Sequence, residues 1–232
     1  MEYEIIQLDN GIRIVLHRQQ SPITHTCLVV NAGSRDEVPG KFGVAHFIEH
    51  LLFKKTERRS TNQILNHLEA VGGDLNAYTT KEYTCIHASI LKPHLTKALD
   101  LFEDIIFHST FPSEEMEKEK GVIVDEMASY LDSPEESIMD DFEDLLFKGS
   151  GLGHNILGLE KDLLAFQNQD ILDFMKANYN TGEIVIGITG DYSAKAVERM
   201  ARKYFESIPK NTPLRERAAV PFNRSIHEEI AK

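Results

Sequence analysis

His46, Glu49 and His50 stand at i, i+3 and i+4 within Gly43-Val44-Ala45-His46-Phe47-Ile48-Glu49-His50-Leu51-Leu52-Phe53. On a helix that spacing puts all three side chains on one face. Two imidazoles there form half of a tetrahedral zinc site. A carboxylate one turn from the first is placed to act as general base toward a metal-activated water. The chemistry open to such a set is metal-assisted hydrolysis. Val44, Phe47, Ile48, Leu51 and Leu52 recur at helical spacing, which predicts a buried helix after Gly43. Three unpaired polar groups would be costly in it, which counts against a chance grouping of surface residues.

The pattern His-x-x-Glu-His is the inverted form of the zinc-hydrolase motif, and it still needs a third protein ligand. Among the remaining histidines each, alone, reads as exposed or structural. A helix expected from Glu114 to about Asp132, capped by Ser113, is more informative. Projection at 3.6 residues per turn turns Glu114, Glu117 and Asp125 toward solvent. Glu119 and Glu126, seven residues apart and within about 20° of each other, fall instead between Val122 and the side of Ile123, Met127 and Tyr130. Carboxylates in an apolar stripe call for a partner, and a nearby cation is the obvious one; the alternatives are that the edge of the stripe is wet there or that an arginine reaches in. By this argument either glutamate is a candidate ligand.

The elements that must position these residues follow from periodicity. Glu4 to Leu8 and Ile12 to Arg18 read as a hairpin around Asp9-Asn10-Gly11, and Thr24 to Ala32 as a central strand. Lys54 to Arg59 reads as a solvated basic loop. Thr61 is expected to cap a helix to Val71, ended by Gly72-Gly73. A bent strand pair over 74–90 puts Thr84, Ile86, Ala88 and Ile90 on one face. Helices are expected from Pro93 to His108, Pro134 to Phe147, Glu160 to Phe166, Asp170 to Asn178 and from Ser193 to near Ile208, with a strand at Ile184 to Thr189. This order predicts an α+β domain: a mixed, mostly antiparallel sheet covered mainly on one side by helices. Residues 1–208 form the domain, and 209–232 a linker or terminal strand.

The bulk properties exclude several classes. At 232 residues the chain can bury a large core, and no long uncharged apolar run is present to span a membrane. A formal net charge of -12 argues against nucleic acid and anionic lipid as partners. Cys27 and Cys85 read as buried free thiols rather than a disulfide framework. The first residues lack a signal-peptide pattern, which leads to an expectation of a cytoplasmic location.

Together with Asn10-Gly11, Gly33-Ser34-Arg35-Asp36-Glu37, Gly72-Gly73-Asp74-Leu75-Asn76-Ala77-Tyr78-Thr79, Leu152 to Gly158 and Gly190-Asp191, these features make the chain resemble the pitrilysin/insulinase family of inverted-motif zinc peptidases. It is most similar to bacterial relatives of mitochondrial processing peptidase. The resemblance implies one zinc ion on His46, His50 and Glu126 (offset 126 − 50 = 76) with Glu49 as catalytic base. It further implies Glu119, and less directly Glu82, as carboxylates that support the site. Asn76 and Ala77 would lie on a strand edge that receives the substrate backbone. The implied activity is endopeptidase cleavage of short or unfolded polypeptides bound as an extended strand. The implied partner is a second homologous domain or subunit bearing an Arg and a Tyr; in isolation a homodimer is an option. A non-catalytic subunit of the same fold is the alternative, and S-ribosylhomocysteine lyase a remoter one, since it uses a cysteine ligand.

Overall fold

The computed structural model describes residues 2–212 and 217–220. Six strands form one sheet in the order β1-β2-β6-β3-β5-β4. They are β1 (Glu4–Gln7), β2 (Arg13–Arg18), β3 (Ile23–Val30), β4 (Asp74–Thr79), β5 (Thr84–Leu91) and β6 (Ile184–Gly190). Among the described residues one strand pair, β2·β6, is parallel and four are antiparallel, so the sheet is mixed and mostly antiparallel as expected. The late strand β6 enters the middle of the sheet, between β2 and β3. Its run Ile184-Val185-Ile186-Gly187-Ile188 suits a strand paired on both sides.

Burial alternates along the strands. Leu28 and Val30 on β3, Ile86, Ala88 and Ile90 on β5 and Ile184, Ile186 and Ile188 on β6 enter one continuous core with the helices. Thr84, Ile86, Ala88 and Ile90 therefore share the inner face as the alternation predicts. The opposite face carries the exposed Ile5, His25 and Tyr78. The helices are α1 (Val44–Leu52), α2 (Thr61–Glu69), α3 (Leu95–Phe107), α4 (Ser113–Leu131), α5 (Pro134–Leu146), α6 (Glu160–Ala165), α7 (Asn168–Asn178) and α8 (Ala194–Phe205). Helix α1 packs against β4, α4 and α7, so the metal-motif helix lies between the sheet edge and a second helix layer. None of the described helices is long and apolar enough to cross a membrane.

Several local expectations shift. Ser60, not Thr61, caps α2: its backbone N–H donates to Gln63 Oε1 (2.9 Å) in a capping box, while the Thr61 hydroxyl turns back to the Lys54 carbonyl. Helix α3 starts at Leu95 after a short 3₁₀ turn over Lys92–His94. Pro112, not Ser113, stands at the cap of α4. Both cysteines are free, but Cys27 is only half-buried. The expected linker over 209–232 falls largely outside the described residues. Within the described part, Arg217 donates to Asp36 Oδ1 (3.0 Å) and Oδ2 (2.8 Å).

The basic connection after Phe53 is not a solvated loop. Arg58 and Arg59 both converge on the fully buried Asp104 of α3, which also accepts from the Thr56 hydroxyl (2.9 Å), and they pair with Glu103 and Asp100 as well. Burial opposes ionisation of Asp104, but the hydrogen bonds from Arg59, Arg58 and Thr56 outweigh it, and the carboxyl titrates below its usual range. This network ties the chain leaving α1 to α3. Asp104→Asn is expected to cost about 2–3 kcal/mol, less than a fully buried pair because Arg58 is nearly half-exposed. The stability it supplies is present above the ordinary Asp value of about 3.9 and lost as pH falls below it. Urea denaturation at pH 7 and pH 3 should show a difference between wild type and variant that shrinks at the lower pH; equal stabilities at pH 7 would contradict it.

Candidate metal centre

Helix α1 begins without a cap of its own. Gly43, at φ +94°, stands at the N-cap and has no side chain to offer. The Glu37 carboxylate supplies what is missing: Oε2 accepts from the Gly43 N–H (2.8 Å) and Oε1 from the Ala45 N–H (2.9 Å). From that start, seven of nine helical residues are buried, His46 among them. Burial first, and the His50 charge second, lower the pKa of His46 to about 3. The imidazole is therefore neutral near pH 7, the form in which histidine binds a metal.

The two rings stand one turn apart in an edge-to-face arrangement, centroids 4.6 Å apart. Both Nε2 atoms face Glu126 of α4: His46 Nε2 lies 3.8 Å from Oε1 and His50 Nε2 lies 3.5 Å from Oε2. Among the described residues these three are the only His/Cys/Asp/Glu group whose ligand atoms all lie within 4.8 Å of one another. A tetrahedral zinc site with ligand bonds of about 2.0–2.2 Å separates its donors by about 3.3–3.6 Å. The donor types suit that ion, and the two histidine–carboxylate distances, each to a different Glu126 oxygen, lie within a few tenths of an ångström of that spacing.

Glu119 and Glu126 are two turns apart on α4, about 10 Å along its axis, and they meet opposite nitrogens of the His50 ring. Glu119 is buried and reaches the far side of His50: its Oε2 lies 3.2 Å from Nδ1, and its Oε1 accepts from Lys54 Nζ (2.6 Å). The hydrogen bond to Nδ1 leaves Nε2 as the nitrogen free to face Glu126. The cation required by Glu119 is thus Lys54, not an arginine. Lys54 stands four residues after His50, just past the end of α1, and that short spacing is the available signal for it. Glu49 Oε2 accepts from the Thr79 hydroxyl (2.6 Å), and burial raises the pKa of its carboxyl.

Asn76 and Ala77 lie on β4, the edge strand, with Asn76 exposed. The Asn76 carboxamide oxygen accepts from the Ala77 N–H (2.8 Å), covering one edge donor. A cleft of about 580 Å³ runs between this edge and α1, lined by Glu49, His50, Phe53, Leu65 and Leu75. Glu82 is placed differently. It sits at the β4–β5 turn, about half exposed, and its ion pairs among the described residues are with Arg35 and Arg217, none with His46, Glu49 or His50.

A protease from Helicobacter pylori of known crystal structure superposes with a TM-score of 0.86 at 25% identity, over 95% of this chain and 53% of that one. The fold is thus that of a peptidase half. The sequence model of the insulinase family (peptidase family M16) matches residues 13–159, and that of the peptidase M16 inactive domain matches residues 165–230. An uncharacterized zinc protease of Bacillus subtilis is 35% identical over 201 residues, 85% of this chain and 48% of its own length. The mitochondrial-processing peptidase subunit beta of Lentinula edodes is 34% identical over 207 residues, 89% of this chain and 44% of its own length. The chain belongs to the insulinase family of peptidases. It spans about half the length of the curated relatives it matches.

The start of α1 is sterically fixed: a Cβ on Gly43 would lie 2.4 Å from the Leu157 carbonyl oxygen, and one on Gly158 would lie 2.1 Å from the Phe42 carbonyl oxygen. Gly43→Ala is expected to destabilise the fold by about 2–4 kcal/mol, through left-handed backbone strain plus that overlap. Chemical denaturation measures it. A loss below about 0.5 kcal/mol would show that the helix start is free to move.

Proposed function

We propose that the chain is the metal-bearing half of a zinc endopeptidase that cleaves short or unfolded polypeptides held as an extended strand. The observation that carries this reading is the convergence of three donors, His46 Nε2, His50 Nε2 and Glu126, beside a fourth group, Glu49, which approaches from the same helix face. His46, His50 and Glu126 would hold the ion. When bound, zinc supplies Lewis-acid polarisation of the scissile carbonyl and a water acidified to a pKa of about 7.

The remaining work falls to the chain. Glu49 accepts the proton of the attacking water and passes it to the leaving amine. The Thr79 hydroxyl holds one Glu49 oxygen and leaves the other for that transfer. Burial of Glu49 raises its affinity for the proton, which suits a group that must take and then deliver one. Glu119 and Lys54 keep the His50 ring in the orientation that offers Nε2. The substrate backbone adds to the free edge of β4 near Asn76 and Ala77, displacing the Asn76 side chain from the Ala77 N–H, and its side chains enter the adjoining cleft. A segment that pairs this way must be extended, hence short or unfolded.

Since the relatives are about twice as long as the matched stretch, we propose that the working enzyme includes a second homologous half, on the same polypeptide or on a partner subunit. Glu49→Gln in the full-length protein should retain one zinc per site, by elemental analysis, while turnover of an unfolded fluorogenic protein substrate falls at least 100-fold. Unchanged turnover would remove Glu49 from the mechanism. A wild-type protein without stoichiometric zinc would overturn the reading altogether.

A further inference from the structure

Glu37 and His154 lie outside the donor set, yet both bear on its position. The Glu37 side chain is completely buried and accepts three hydrogen bonds: from the Gly43 and Ala45 N–H groups and from His154 Nε2 (2.9 Å). A carboxylate so buried is costly unless each lone pair is used, and here two are used by buried N–H groups at the positive end of α1 that lack intrahelical partners. The His154 ring packs on Phe42, centroids 4.3 Å apart, directly before the helix starts. The same segment brings the Leu157 carbonyl against Gly43 and Gly158 against Phe42, leaving no room for a Cβ at either contact. Lys81, from the turn after β4, donates to the His154 carbonyl and ties the segment to the sheet edge.

The N-terminus of α1 is thus held by a hydrogen-bonded acid from one side and a backbone stop from the other. Ala45, which donates to Glu37, immediately precedes His46. A helix moves along its axis as a rod, so an axial shift at Gly43–Ala45 is carried to His46 and His50 together. Glu126, on a different helix, does not follow. We propose that Glu37 and His154 are a positioning pair that sets the axial position of the metal helix, and with it the spacing between the two imidazoles and Glu126. This inference rests on the zinc-site reading above. It adds a second requirement for that site, built from the loop before α1 and the segment 154–158.

The test uses the full-length protein, with cobalt(II) as spectroscopic substitute for zinc and apo-protein unfolding as the control for stability. His154→Leu removes the donated hydrogen bond, whereas His154→Gln keeps an N–H near the position of Nε2. Glu37→Gln probes the pair from the other end while retaining one acceptor oxygen. The expected result is a cobalt affinity 10–100-fold weaker in His154→Leu, with an altered visible absorption band, and near wild-type behaviour in His154→Gln. Glu37→Gln should also weaken binding and change the band. Lower apo stability with unchanged cobalt affinity and spectrum in both loss variants would overturn the proposal, because the pair would then be only a structural cap. A His154→Gln protein as impaired as His154→Leu would overturn it as well. If the wild type binds no cobalt, the zinc-site reading fails and this inference with it; if the wild type binds and the variants match it, this inference alone fails.

Discussion

Two imidazoles fixed one turn apart on a helix supply half of a tetrahedral site, and the packing of α4 across α1 brings a third candidate donor to them. That crossing sets His46 Nε2 and His50 Nε2 within 3.8 and 3.5 Å of the Glu126 carboxylate. It also decides the role of the second glutamate. Two turns up the same helix, Glu119 meets the outer nitrogen of His50 and the ammonium of Lys54. One helix–helix contact therefore places a proposed ligand and its support in a single step, and the seven-residue spacing keeps both on one face.

The sheet contributes differently. Strand β4 lies at its edge and against α1, so the proposed base Glu49 can touch Thr79 on that strand. A strand edge beside the proposed metal centre would be a natural seat for an extended peptide. With β6 inserted between β2 and β3, β1 and β4 are the two edges of the sheet among the described residues. The acidic cluster on α3 and the two arginines after α1 then anchor the C-terminal end of the same helix. Helix α1 is held at both ends, by Glu37 at the start and by the Arg58–Arg59–Asp104 network beyond its finish.

Much of this arrangement is legible from residue order. The polar triplet in an apolar helix, the alternation of Thr84 to Ile90 and the succession of strand and helix periods point to the observed fold class because each depends only on local spacing. What local spacing cannot supply is the neighbour across the fold. Periodicity makes Glu119 and Glu126 equivalent; only the point where α4 crosses α1 separates them. Thr79, Glu37 and His154 act through contacts that no helical or strand repeat encodes, since they lie on a strand end and two loops. Lys54 was within reach of a spacing argument but reads as loop, because the basic run to Arg59 masks its place four residues after His50. Glu82, carried by family likeness alone, pairs with Arg35 rather than with the motif residues. The parallel pairing of β6 with β2 was equally hidden: a buried run shows that a strand is central, not which strands flank it.

The proposed activity depends on one ion shared by α1 and α4. Crystals of the full-length protein grown with zinc, measured for anomalous scattering on both sides of the zinc absorption edge, test it most directly. The expected result is a single strong peak about 2.0–2.2 Å from His46 Nε2, His50 Nε2 and a Glu126 oxygen, with Glu49 close by but not bonded. A peak bound by the imidazoles while Glu126 turns away, or no peak between them, would contradict it.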